Sequence, residues 1–118
     1  MGLTIISADD QKYLFSASYS TFLKFRRKIA KLMGLNPDLI YPQIKTSHSY
    51  DLVKAQSNWK EGMAVFFYHS DCEGLWNVDD CKKILKLLRK VNSYNFKLMN
   101  MIDGLEYCVE KKQSAIFC

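Results

Sequence analysis

Histidine and proline are scarce in this chain, and its apolar runs are short. Two His and two Pro stand among 118 residues. His48 lies between Ser47 and Ser49, and His69 opens a polar turn; neither sits in an order of residues that defines a nucleophile and its base. No phosphate-cradling glycine loop, nucleophile elbow or zinc-protease helix occurs. No apolar run approaches the roughly 18 residues that a bilayer demands, and the first residues lack the basic-then-apolar layout of a secretory signal. Gly2 follows Met1, but Ile6 stands where myristoylation needs Ser or Thr, and Cys118 is not four from the end as prenylation requires. The expectation is a cytoplasmic protein with no membrane partner, no cofactor and no catalytic residues. Its four cysteines are then reduced thiols.

What is present argues for a packed core. Apolar residues make up 48% of the chain and aromatics 14%, which excludes disorder. No repeat, linker or low-complexity tract divides it, so residues 1–118 read as one domain. Leu3-Thr4-Ile5-Ile6 and Tyr13-Leu14-Phe15-Ser16 read as a hairpin around a polar turn, with Asp9 and Asp10 solvated. Phe22, Phe25, Ile29, Leu32 and Met33 follow helical spacing over 21–33, with Ser18 or Ser20 as cap and Gly34 as terminator. Lys24, Arg27, Lys28 and Lys31 share the opposite face, and Arg26 extends that patch sideways. A solvated face or an electrostatic footprint for nucleic acid fits these cations.

Pro37 suits a short helical piece that Pro42 ends, followed by an irregular loop. Trp59, in polar company, reads as packed under a loop or as a binding anchor. The segment 63–68 (Met-Ala-Val-Phe-Phe-Tyr) is apolar on every side and belongs in the core; its aromatic and β-branched content tips it towards a strand. Val78 begins the strongest helix, 78–91, with Cys81, Ile84, Leu85, Leu88 and Val91 along one stripe. Its acidic start and basic end complement the helix dipole. A last helix over 94–112 buries Leu98, Met101, Ile102, Leu105, Cys108 and Val109, with Gly104 marking close packing or a bend. Ala115-Ile116-Phe117-Cys118 reads as a final strand.

Between the core segment and the strong helix lies the stretch most suggestive of function, His69-Ser70-Asp71-Cys72-Glu73-Gly74-Leu75-Trp76. Asn77 and Asp80 have the spacing of a helix cap, and Gly74 lets the chain reverse before it. As an EF-hand-like loop centred on Gly74, the same stretch would offer Asp71, Glu73, Asn77 and Asp80 to a divalent cation such as Ca²⁺. His69 would then fall on the first ligand position, where it is a poor ligand, and Asp80 on the twelfth, one methylene short. His69, Cys72 and Cys81 would give zinc three ligands without a second close-spaced pair. Cys81 instead suits a buried thiol.

The opening Met-Gly-Leu, the segment from Tyr19 to Arg26, and above all His69-Ser70-Asp71-Cys72-Glu73-Gly74 before a helix resemble a group of small uncharacterised proteins of bacteriophages, prophages and their bacterial hosts. The resemblance carries no active site; it implies a cytoplasmic product of a phage or mobile element.

The reading of the whole is α+β: three main helices (21–33, 78–91 and 94–112) packed on a small antiparallel sheet built from the N-terminal hairpin and the C-terminal strand. The function expected is non-catalytic binding of a host macromolecule, a bacterial protein, with inhibition of a defence system as one form. The contact residues would be Ser70, Asp71, Glu73, Gly74, Leu75 and Trp76. A divalent-metal module at 69–80 and a nucleic-acid binder through helix 21–33 are the alternatives.

Overall fold

The computed structural model describes residues 2–44, 46–91, 93 and 95–118. The break expected at Asn92 and the helix start expected at Tyr94 lie outside the described residues. The fold is α+β, as the sequence pattern predicts. Strands β1 (Gly2–Ser7) and β2 (Tyr13–Ser18) form the hairpin, and β4 (Ala115–Phe117) pairs with β1 on its other side. A two-residue strand, β3 (Leu75–Trp76), completes an antiparallel sheet in the order β2-β1-β4-β3. Alternation along β1 buries Leu3, Ile5 and Ser7.

Helix α1 (Tyr19–Leu32) starts at Ser18, whose hydroxyl accepts from the Thr21 amide. Its buried face is Phe22, Phe25, Arg26, Ile29 and Ala30, the i, i+3, i+4, i+7, i+8 pattern of an amphipathic helix. Two expectations are corrected here. Arg26 does not extend the surface patch; it points inward. Leu32, expected in the core, is 43% exposed. Asn36 caps the single turn α2 (Pro37–Ile40), and α3 (Ser49–Lys54) follows. Trp59 is half-buried and packs against Phe67 and Tyr68.

The segment 63–68 is a helix, α4 (Met63–Tyr68), and not the strand expected from its composition. Its deeply buried residues are Met63, Phe66 and Phe67, at helical spacing, and Phe66 meets Phe25 and Trp76. With every residue apolar, the sequence offered no polar contrast from which to read that period. Helix α5 (Val78–Leu88) packs against α6 (Phe96–Lys111), joining Cys81, Ile84, Leu85 and Leu88 to Leu98, Met101, Leu105 and Cys108. No described helix is long and apolar enough to cross a membrane.

Helix α6 runs along the outer strand β2 and covers an edge that would otherwise offer unpaired backbone groups. At Gly104 a Cβ would lie 3.0 Å from Leu14 Cβ, so the glycine permits the close approach. Lys97 Nζ donates to the Ser16 carbonyl at 2.8 Å. At the hairpin turn, the Gln113 side-chain oxygen accepts from the Asp9 and Asp10 amides (2.9 and 3.3 Å). Asp10 is therefore not a merely solvated residue: its carboxylate accepts from the Ser7 and Tyr107 hydroxyls.

These bonds, Ser7 first and Tyr107 second, hold the Asp10 carboxyl at about 2, and the Asp10 bond pushes the Tyr107 phenol up. A carboxyl depressed in the folded state adds stability above its unfolded value of about 3.9, and that contribution fades as pH falls towards 2. Asp10→Asn is expected to lower the melting temperature at neutral pH, with the gap to the parent closing between about pH 4 and pH 2. A gap that stays constant over that window would show that the carboxylate charge has no part in it.

Candidate functional site

The acidic turn is a braced corner. Helix α4 ends at Tyr68, and His69 leaves it in extended conformation. The Cys72 amide donates back to Ser70 Oγ at 3.2 Å, making a local hydroxyl turn. Gly74 then adopts φ +94°, where a side chain would be strained. Its carbonyl accepts from the Phe117 amide at 2.9 Å, which ties the corner to β4. The His69 ring spans the turn from inside, with Nδ1 2.7 Å from the Ser70 carbonyl and Nε2 3.1 Å from the Leu75 carbonyl. Carbonyls only accept, so a neutral ring makes one of these bonds and a protonated ring makes both. The ring also packs on Phe117, with centroids 4.2 Å apart.

Beneath the corner lies Arg26, only 5% exposed. Its Nη1 donates to the carbonyls of His69 (2.9 Å) and Phe67 (3.4 Å), at the end of α4. The Tyr41 hydroxyl donates to the same Phe67 carbonyl at 2.7 Å. Both donors satisfy orphan carbonyls, and a cation suits the negative end of a helix. The guanidinium also lies over the Phe22 ring, 4.1 Å from its centroid. Burial draws the guanidinium pKa down, and Tyr41 and then Asp71 act against that. Arg26 Nε and Nη2 are buried without a hydrogen-bond partner among the described residues.

The side chains of the corner face outward. Ser70, Cys72, Glu73 and Gly74 are exposed, Asp71 is half-exposed, and Leu75 is 49% exposed. Among the described residues, neither Asp71 nor Glu73 has a hydrogen bond or ion pair for its carboxylate. Trp76 is the correction: at 0% exposure it cannot touch a partner. Its Nε1–H donates to the Val65 carbonyl at 3.2 Å, and its ring meets Phe66 and Phe117. Just before the corner, Tyr68 is exposed and stands edge-to-face with Tyr50. The two line a hollow of about 400 Å³ with Ile40 and Pro42. Burial raises the Tyr68 phenol, which keeps it a neutral hydrogen-bond donor.

The metal candidates are not brought together. Asn77 Oδ1 accepts from the Asp80 amide (2.8 Å), and Asp80 Oδ2 accepts from the Asn77 amide (3.2 Å), a reciprocal capping box. Among the described residues, no three His, Cys, Asp or Glu side chains gather as a metal would need. Cys81 is buried; its neighbour Cys108 and burial both push its thiol up. On the outer side of α1, Lys24, Lys28 and Lys31 are exposed, while Arg27 pairs with Asp38. The sequence reading missed the inward Arg26 and its partnership with Tyr41. The available signal was spacing, since position 26 falls on the buried stripe of α1 whatever its charge.

Three substitutions test the brace. Arg26→Ala leaves a cavity and an unpaired carbonyl and is expected to cost about 2–4 kcal/mol in urea unfolding. Arg26→Met refills the space without a desolvated charge, so its cost should be within about 1 kcal/mol of zero, with faster amide exchange at 70–75. Equal losses in the two variants would mean that the ionic bonds outweigh the desolvation they require. Gly74→Ala places a Cβ 3.1 Å from His69 Nε2 at a strained φ, for an expected loss of about 1–3 kcal/mol. An unchanged midpoint would refute the strain. Comparison with protein-family models, curated proteins and solved structures finds no match for this chain.

Proposed function

We propose that this chain is a non-catalytic interaction protein that binds a macromolecule through the 70–75 corner. The observation that carries the reading is a division of labour. The corner's backbone is held by His69, Arg26 and β4, while Asp71, Glu73 and Leu75 are left to face outward. A braced loop loses little entropy when it docks. An exposed leucine beside two carboxylates suits a partner that offers a small apolar socket rimmed by cations. Tyr50 and Tyr68 add the amphipathic aromatic area on which binding energy concentrates.

The resemblance to phage and prophage proteins makes a bacterial host protein in the cytoplasm the partner class. Inhibition of a defence component is the specific form that this context and the small size favour. Asp71→Ala combined with Glu73→Ala is expected to abolish partner capture from bacterial lysate with no change in melting temperature. Leu75→Asp should do the same. Undiminished capture by both variants would remove the corner from the interface.

A further inference from the structure

A second surface lies away from the corner, at the other end of α5. Lys83, Lys86 and Lys90, at i, i+3 and i+7, face one groove of about 350 Å³, and Lys60, ahead of α4, joins them. Among the described residues, the only carboxylate in that lining is Glu61, 3.4 Å from Lys83 Nζ. A second hollow, of about 250 Å³, shares Lys60, Leu87 and Lys90 with the first, so the two adjoin. Its floor is Leu32, Met33, Met63, Leu87 and Val91. Leu32 is the residue that the α1 pattern placed in the core and the fold leaves 43% exposed.

The helix dipole does not account for this cluster. It favours cations in the last turn of α5, where Lys86 lies. Lys83 stands a turn earlier, and Lys60 comes from another part of the chain. Arg89, by contrast, turns to α6 and pairs with Glu106 at 3.2 Å. Four ammonium groups sharing one carboxylate repel each other, and an incoming anion relieves that repulsion.

We infer that this groove is a docking site for an acidic amphipathic helix of a partner protein. Leucine-like side chains would fill the hollow between α1 and α5, and flanking carboxylates would meet Lys60, Lys83, Lys86 and Lys90. Charge complementarity fixes the sign of the occupant, and the apolar floor fixes its class. A nucleic-acid backbone supplies phosphates but nothing to cover leucine and methionine. Among the described residues, the lining of both hollows holds no aromatic side chain on which a base could stack. A helix that presents carboxylates beside an apolar stripe satisfies both parts of the groove, and methionines adapt to such a stripe.

The test uses the full chain and a labelled leucine–glutamate peptide of about 18 residues with leucines at i, i+3, i+4 and i+7. Fluorescence anisotropy should rise on mixing. A scramble of the same composition should bind at least about tenfold more weakly. Lys83→Glu with Lys90→Glu, both exposed positions, should weaken the peptide about tenfold or more, and Leu32→Ser should weaken it too. Circular dichroism verifies that the variants fold. Four results would each overturn the proposal: no binding at low salt, equal binding of the scramble, indifference to the charge reversals, or tighter binding of duplex DNA than of the peptide. The corner is tested separately by lysate capture with the Asp71 and Glu73 variant, so either surface can fail without the other.

Discussion

Helix α4 is six residues long, too short to hold itself in water, and its end must nevertheless deliver the corner in one orientation. Arg26 supplies the missing constraint. From the middle of α1 it reaches under the chain and donates to two carbonyls at the end of α4, while Tyr41 secures one of them from the segment after α2. Three elements are thereby fixed to one another at a single point. The arrangement is not a cheap source of stability. Burial acts against the charge, and two donor atoms have no partner among the described residues. An arginine tolerates this better than a lysine would, because it remains charged when desolvated and its planar head lies on the Phe22 face. What the contact fixes is geometry.

The far side of the corner is anchored by a different interaction. Trp76 is fully buried, hydrogen-bonded to Val65 of α4 and packed on Phe117 of β4. Its carbonyl accepts from the Cys81 thiol at 3.7 Å, and the next residue, Asn77, opens the capping box of α5. The chain between His69 and Trp76 is thus held at both ends and bridged across its middle by an imidazole. Under the proposed function, loop residues restrained in this way would lose little further freedom on docking, because the folded chain already orders them.

The parts of this design that were legible in the sequence are those with local causes. Asn77 and Asp80 announce a cap because both bonds lie within one turn. The stripes of α5 and α6 are readable because lysines and glutamates alternate with apolar residues. Fold class follows, since strands at the chain ends and helices between them leave few arrangements. The illegible parts depend on distant partners or on a missing contrast. The uniformly apolar 63–68 segment hides its period. A two-residue strand such as β3 exists only because β4, some 40 residues on, is there to pair with. Asp10 finds its partners in Tyr107 and Gln113, which no local pattern connects to it. Arg26 and Leu32 were exchanged for a third reason. Position 26 falls within the buried stripe whatever its charge, whereas Leu32 follows the same spacing at the last turn of α1 and is left 43% exposed.

That exchange has a consequence for how charge is laid out. With Arg26 withdrawn inward and Arg27 paired with Asp38, the cations of α1 contribute less field than their number implies. The imbalance instead sits along α5. Asp79 and Asp80 stand in its first turn, and lysines from two chain segments gather towards its other end. Six to seven residues at about 1.5 Å each separate Asp79 and Asp80 from Lys86 by roughly 10 Å, about one Debye length at physiological salt, so the two charges are partly screened from each other. If both proposed surfaces are used, this layout would draw a cationic partner to the corner and an anionic one to the groove.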